Sequence, residues 1–215
     1  MFSNERRLDK PGTSIADDAK IEVRGKPYPW VSRGGVKLAH GLDHFDIDPG
    51  GHICLDVGAS TGGFTDVLLT RGAARVYAVD VGRGQLDWRL RQDERVIVLE
   101  GVNARYLTLE QVPEEVEFVV CDASFIGLQT VLPAPLALAV PGAVLIALIK
   151  PQFEVGRGRV GKGGVVSDPA LHAEVRERIS DWLGALADWR VIGQTESPIQ
   201  GPKGNREFLI AAERV

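Results

Sequence analysis

The stretch Asp56-Val57-Gly58-Ala59-Ser60-Thr61-Gly62-Gly63-Phe64 follows directly on the run His52-Ile53-Cys54-Leu55. A strand that ends in a glycine-rich loop lets the backbone pass close to a bound nucleoside, because glycine has no Cβ and tolerates positive φ. The carboxylate two residues before the first glycine suits a ligand that carries an amino group. Together these features point to S-adenosylmethionine, with Asp56, Gly58, Ser60, Gly62, Gly63 and Phe64 as candidate cofactor-binding residues. Read as Gly58-x-Ser60-x-x-Gly63, the loop is also one substitution from the dinucleotide fingerprint. Asp56 argues against that reading: a carboxylate is repelled by a pyrophosphate and attracted by a sulfonium and an ammonium. The next apolar run, Val76-Tyr77-Ala78-Val79, ends in Asp80, at the spacing where an acidic side chain accepts hydrogen bonds from ribose hydroxyls. Asp80 serves both readings equally.

Outward from this loop, apolar runs alternate with helical periodicity. Strands are expected near 52–57, 75–80, 96–100, 117–122, 143–149, 189–197 and 207–213. The clearest helix carries Leu171, Val175, Ile179, Trp182, Leu183 and Leu186 on one stripe, opened by Ser167-Asp168-Pro169 as cap and first turn. Alternating strands and helices imply an α/β fold with a parallel, doubly wound sheet that binds ligands at the carboxyl ends of its strands. The link from Pro198 to Arg206 is too short for a helical crossover, so the last strand should run antiparallel. Six parallel strands plus one antiparallel strand are what a Rossmann-like class I methyltransferase requires.

A chain of 215 residues, 44% apolar, is long enough for one full core and a short appendage. No stretch of about 18 uninterrupted apolar residues exists, and the start, Met1-Phe2-Ser3-Asn4-Glu5-Arg6-Arg7, lacks the apolar segment of a signal peptide. The expectation is a cytoplasmic protein with no membrane partner. Cys54 and Cys121 fall in expected strands and read as inert core thiols, and His40, His44, His52 and His172 show no zinc-like spacing with them, so no metal is expected. The net charge of −4 hides a polarised distribution. Residues 1–37 hold eight Lys/Arg against five Asp/Glu and residues 150–162 hold four against one, so the remainder carries ten net negative charges. Such a split suits a basic face that grips phosphates.

The strand ends, taken in order, supply the candidate chemistry. Strand four ends Val119-Val120-Cys121-Asp122 and strand five ends Leu148-Ile149-Lys150-Pro151, where proline stops the ladder. The last strand opens Asn205-Arg206-Glu207-Phe208, and a helix before the first strand carries Lys37. Lys37, Asp122, Lys150 and Glu207 resemble the K-D-K-E tetrad of the FtsJ-type RNA ribose 2'-O-methyltransferases. Within that superfamily, Val31-Ser32-Arg33-Gly34-Gly35-Val36-Lys37-Leu38, Asp122-Ala123-Ser124-Phe125-Ile126, Lys150-Pro151-Gln152-Phe153-Glu154 and Val160-Gly161-Lys162-Gly163-Gly164-Val165-Val166 are similar to the TlyA, or hemolysin A, family. The resemblance runs from about residue 8 to the C-terminus. It implies an S-adenosylmethionine-dependent enzyme acting on the 2'-hydroxyl of rRNA cytidines, with rRNA or ribosomal subunits as partners and the tetrad as catalytic residues.

Physical chemistry makes sense of such a tetrad. A ribose 2'-hydroxyl is a poor nucleophile near neutral pH, so transfer needs an aligned base and cations to stabilise the developing alkoxide. Lys150 is the expected base. A lysine takes that proton only as the neutral amine, a form that burial and a neighbouring cation favour and adjacent carboxylates oppose. The resemblance also implies an N-terminal S4-type RNA-binding domain. Here only Asp9–Thr13 and Asp17–Gly25 resemble its tail, so residues 1–30 are expected to be a remnant or linker and 31–215 the methyltransferase domain. Arg33, Arg157, Arg159, Lys162 and Lys203 are expected RNA contacts, the middle three on a glycine-rich, mobile lid over the substrate groove. Trp30, Phe125, Phe153 and Trp182 are candidates for stacking on bases, Trp182 being better placed for the core; Phe64 and Trp88 are candidates to wall the adenine. Two alternatives stay open: a base amino-methyltransferase, since Asp122-Ala123-Ser124-Phe125 loosely resembles an Asp-Pro-Pro-Tyr loop, and a hemolysin-type membrane-active protein.

Overall fold

The computed structural model describes residues 2–3, 6–7, 14–22 and 28–215, with the side chains of Phe2, Arg6, Arg7 and Arg157 outside the description. The S4-like pieces at 9–13 and 23–25 therefore lie outside the described residues. Near the N-terminus, Phe2–Ser3 pairs antiparallel with Arg6–Arg7 and with Ile21–Glu22 in a small three-stranded sheet.

The main sheet has seven strands: β1 (Ile53–Val57), β2 (Arg75–Asp80), β3 (Val96–Glu100), β4 (Val116–Cys121), β5 (Ala139–Ile149), β6 (Trp189–Glu196) and β7 (Phe208–Arg214). Their spatial order is β3-β2-β1-β4-β5-β7-β6, with β7 antiparallel to both of its neighbours and the β3 to β5 pairings parallel. A mostly parallel sheet with an antiparallel last strand is what the sequence predicts, and the strands fall within a residue or so of their expected positions except β5, which begins four residues early. Its extension runs through Pro141 and Gly142, where Gly142 has φ 85° and the pairing with β4 shifts register.

Helices cover both faces. On one face lie α1 (Gly34–Phe45), α2 (Gly63–Thr70) and the short α3 (Trp88–Arg91); on the other lie α4 (Leu128–Val131), α5 (Pro133–Ala137) and α7 (Pro169–Gly184), with α6 (Pro151–Glu154) following β5. Because successive strand residues point to opposite faces, Cys54, Phe118, Val120, Ile146 and Leu209 pack under α1 and α2, while Leu55, Val119, Leu145 and Ile210 pack under α4, α5 and α7. Burial on both faces explains why Val144 to Ile149 reads as a continuous apolar run rather than an alternation. The α7 helix starts as the sequence dictates: Asp168 accepts from Ala170 N at 2.8 Å, and Pro169 takes the first helical position. Its buried stripe is His172, Val175, Ile179 and Leu183, with Trp182 half-buried against the same core.

The strand order reverses between β1 and β4, which opens a crevice at their carboxyl ends. Gly58 sits there with φ 85°, and a Cβ on it would lie 2.9 Å from the backbone of Ala123. Only glycine lets the loops after β1 and β4 approach this closely.

Candidate active site

Four side chains from four elements converge at the carboxyl ends of β4 and β5. Lys37 comes from the first turn of α1, Asp122 follows β4, Lys150 follows β5 and Glu207 immediately precedes β7. Lys37 Nζ donates to Glu207 Oε2 at 2.6 Å and lies 3.8 Å from Asp122 Oδ2. Lys150 Nζ lies 2.6 Å from Asp122 Oδ1, and donates to the Asp122 carbonyl at 3.0 Å and to Ser124 Oγ at 2.9 Å. The contacts thus run Glu207, Lys37, Asp122, Lys150, Ser124, with acidic and basic side chains alternating over the first four. Lys37, Lys150 and Glu207 are 4%, 6% and 1% exposed. Charges held this far from water persist only when paired, since an unpartnered one costs several kcal/mol.

The local sequence explains how each group is aimed. Pro151 stops the β5 ladder and takes the first position of α6, which turns the chain and leaves Lys150 at the sheet edge. At the start of α1, a Cβ on Gly35 would fall 2.3 Å from the Trp30 ring, and one on Gly63 would fall 2.3 Å from Ser32 Oγ. The small residues let α1 abut α2. Trp30 is used in this packing rather than presented for stacking. A Cβ on Gly201 would lie 2.1 Å from Glu207 Oε1, so that glycine backs the carboxylate. Gln152 Nε2 approaches the same oxygen at 3.4 Å.

Two cavities meet at this point. A cleft of about 260 Å³ is lined by the tetrad with Ser32, Arg33, Gly63, Phe64 and Pro202. A larger cavity of about 600 Å³ is formed by the loops after β1, β2, β3 and β4, including Asp80, Val81, Val102, Asn103 and Ile126. Gly58, Ser60, Asp122 and Ser124 belong to both walls. Asp80 accepts from Ser60 N at 2.8 Å and from Gly82 N at 2.7 Å, one bond on each oxygen, which leaves lone pairs for hydroxyl donors. Val81, 68% exposed, stands at the rim as an apolar wall. Val81, Val102 and Asn103 were not singled out from the sequence; the signal was their position directly after the ends of β2 and β3.

Of the residues expected to bind a cofactor, Gly58, Ser60 and Asp80 line the larger cavity, whereas Phe64 and Gly63 line only the cleft. Asp56, Gly62 and Trp88 line neither. Gly62, at φ 93°, instead caps α2 and accommodates Leu86 and Leu90, and Trp88 is 71% exposed on α3. Asp56 shares the face of Cys54, so its carboxylate meets α2, where Thr65 Oγ1 donates to Oδ2 at 2.6 Å while Oδ1 is buried without a partner. Burial, reinforced by the charges of Asp122 and Asp80, pushes the Asp56 carboxyl up to about 7. Both thiols are buried in strands, and burial pushes Cys121 up to about 12 and Cys54 higher still, which makes them inert.

Of the expected phosphate contacts, Arg33, Lys162 and Lys203 are exposed. The Arg157 side chain lies outside the described residues. Arg159 forms a bidentate ion pair with Glu174 on α7. The glycine loop is anchored at its exit: Val166 N donates to Asn205 Oδ1 at 3.0 Å, and Asn205 Nδ2 donates to Gly164 O at 3.0 Å and Pro202 O at 3.2 Å. Phe125, at φ 65° and 90% exposed, tilts its ring against Phe153 with centroids 5.0 Å apart. A bulky residue held at positive φ is strained, so the surrounding contacts must hold this turn in place.

Asp56 supplies a test of this geometry. The folded carboxyl keeps its proton up to about 7, whereas an unfolded chain releases it near 3.8. The folded state thus binds more protons across that window, and stability falls as pH rises through it, by up to about 1.4 kcal/mol per pH unit. Asp56→Asn, which keeps an acceptor for Thr65, should flatten this dependence in urea unfolding between pH 4 and 7. Parallel wild-type and variant profiles would refute the assignment.

The model of the FtsJ-like methyltransferase family matches residues 30–214. The 16S/23S rRNA (cytidine-2'-O)-methyltransferase TlyA of Mycobacterium tuberculosis is 50% identical over 202 residues, which cover 94% of this chain and 75% of that protein. Hemolysin A of Brachyspira hyodysenteriae is 39% identical over 212 residues, 97% of this chain and 87% of that one. A solved structure from Streptococcus thermophilus, described provisionally as a hemolysin, superposes with a TM-score of 0.86 at 43% identity, covering 99% of this chain and 77% of that one. With the strand order, the switch-point crevice and these likenesses in agreement, the chain belongs to the FtsJ-like methyltransferases and, within them, to the TlyA (hemolysin A) family.

Proposed function

We propose that this protein methylates the ribose 2'-hydroxyl of a cytidine in ribosomal RNA, with S-adenosylmethionine as donor. The observation that carries the proposal is the buried chain Glu207–Lys37–Asp122–Lys150, set where the cleft meets the larger cavity. The larger cavity fits the donor. Its volume of about 600 Å³ suits a nucleoside-sized ligand, its floor at Gly58 is a cradle that a Cβ would fill, and Asp80 offers free lone pairs to ribose hydroxyls. Val81, Val102 and Ile126 supply apolar surface for an adenine. When bound there, S-adenosylmethionine supplies an electrophilic methyl group on a cationic sulfur.

The chain's own residues do the rest. Lys150 receives the 2'-hydroxyl proton, and the ammonium so formed finds three acceptors already in place. Lys37, held by Glu207, presents positive charge to the developing alkoxide. Asp122 fixes the spacing of the two lysines, so that alignment is built in before substrate arrives. Arg33 at the cleft and Lys162 and Lys203 beside it face the RNA backbone, and the exposed Phe125 ring offers a surface for a base. Residues up to 30 are read as the end of an S4-type RNA-binding module. The base amino-methyltransferase alternative fits less well, because the Asp122 carboxylate is engaged by both lysines rather than left for an exocyclic amine. For the membrane-active alternative, no helix among the described residues is long and apolar enough to cross a bilayer.

Transfer of labelled methyl from S-adenosylmethionine to ribosomal subunits and to naked rRNA should yield a 2'-O-methylated cytidine. Lys150→Ala should lower the rate about 100-fold or more with calorimetric cofactor binding preserved; label on a base nitrogen would overturn the proposal. Gly201→Ala, which forces Glu207 off Lys37, should cost at least about tenfold in turnover without loss of fold; full turnover would remove Glu207 from the mechanism. The Lys162→Ala, Lys203→Ala double variant should weaken RNA binding and reduce the slope of log affinity against log salt by about 1.5. An unchanged slope would show that neither lysine contacts phosphate.

A further inference from the structure

Three atoms surround Lys150 Nζ: Asp122 Oδ1 at 2.6 Å, the Asp122 carbonyl oxygen at 3.0 Å and Ser124 Oγ at 2.9 Å. A carboxylate and a carbonyl only accept hydrogen bonds, whereas a hydroxyl both accepts and donates. A set of three acceptors matches an ammonium but leaves the lone pair of a neutral amine facing an oxygen lone pair. Ser124 is the one neighbour that can reverse. Toward the ammonium it accepts; toward the amine it turns its O–H to the nitrogen lone pair. Among the described residues no other group takes the Ser124 O–H, so nothing opposes that rotation.

Position supports the same role. Ser124 is exposed and lines both the cleft and the larger cavity, while Lys150 is 6% exposed and lines the cleft alone. The segment that carries Ser124 is fixed on both sides. Asp122 N donates to Val57 O at 3.0 Å, Ala123 packs against Gly58, and Phe125 is held at φ 65°. The hydroxyl thus stands at the wall shared by the two spaces, whereas the amine is buried on the cleft side.

We propose that Ser124 is a catalytic proton relay between the ribose 2'-hydroxyl and Lys150; this rests on the 2'-O-methyltransferase reading and on Lys150 as the terminal base. As the 2'-oxygen commits an electron pair to the new O–CH3 bond, the methyl carbon gives up its bond to the donor's sulfur, whose electron pair stays on the sulfur and neutralises it; the 2' O–H bond breaks and a new Oγ–H bond forms on Ser124. The original Oγ–H bond breaks in the same step and its proton forms the third N–H bond of the Lys150 ammonium. Ser124 ends as a neutral hydroxyl that accepts from Lys150, as in the resting structure.

Single-turnover methyl transfer in mixtures of light and heavy water, with cofactor binding followed by calorimetry, tests the relay. Ser124→Ala should slow transfer about 10- to 100-fold with cofactor affinity within about twofold of wild type, and Ser124→Thr, which keeps the hydroxyl, should restore most of the rate. The rate should bow downward with deuterium fraction in wild type and Ser124→Thr, reporting two protons in flight, and become linear in Ser124→Ala. Adding Ser124→Ala to Lys150→Ala should cause no further loss. A Ser124→Ala rate within about twofold of wild type, or a linear dependence in the wild type, would overturn the relay. A Lys150→Ala enzyme at wild-type rate would instead sink the base assignment beneath it.

Discussion

Lys37, Asp122, Lys150 and Glu207 are ionisable groups withdrawn from water, and such groups are tolerated only in each other's company. That requirement dictates how four distant parts of the chain must meet. Lys37 lies 170 residues from Glu207 in sequence, and their contact demands that α1 dock across the sheet onto β7. Gly41 makes the docking possible, since a Cβ there would press to 3.3 Å on Leu209 and 3.4 Å on Ile146. The antiparallel sense of β7 is equally necessary. A strand running against its neighbours begins where they end, so Phe208 pairs with Ile149 and Glu207 arrives beside Lys150 at the carboxyl edge. A parallel last strand would have delivered that carboxylate to the opposite edge.

The second constraint is steric and sits at Gly58. The loops after β1 and β4 touch there, which gives the two cavities a common wall and places Asp122 and Ser124 in it. The two spaces are then separated by single side chains rather than by a layer of protein. The close approach at Gly58 thus fixes how near the two cavities lie to one another.

Much of this was legible in the sequence. The strands of a sheet buried on both faces are continuous apolar runs, and punctuation such as Asp168-Pro169 and Lys150-Pro151 marks the boundaries by mechanisms that act locally. Lys37, Asp122, Lys150 and Glu207 stood out in the sequence as strand-end and motif residues, and the structure brings their side chains together. Asp56 shows where reading stopped: in a strand apolar on both faces, alternation groups it with Cys54 but does not say which face meets which helix, and the structure turns it to Thr65 beneath the loop. Arg159 shows another limit. Its partner Glu174 lies 15 residues on, across a loop and the start of α7, a pairing that loop composition does not encode. The β5 extension was missed because Pro141-Gly142 reads as a break, whereas at the sheet end the same pair bends the strand without ending it.

The glycine loop itself carries the last step. Glycine content alone argues for a mobile lid, but both backbone groups of Val166 are engaged: its N–H by Asn205 Oδ1 and its carbonyl by His172 Nε2 at 2.7 Å. A carbonyl can only accept, so that His172 nitrogen is the donor. Asn205 also holds Gly164 and Pro202, and it stands two residues before Glu207. Gly161 N donates to Val165 O at 3.0 Å and Gly164 N to Gly161 O at 3.1 Å, so a hydrogen-bonded turn encloses Lys162 and the exit of the loop is fixed relative to Glu207. The exit of the glycine loop, the Pro202 turn and Glu207 are thus held in one register by a single buried asparagine, whose side chain spans two segments about 40 residues apart in the chain.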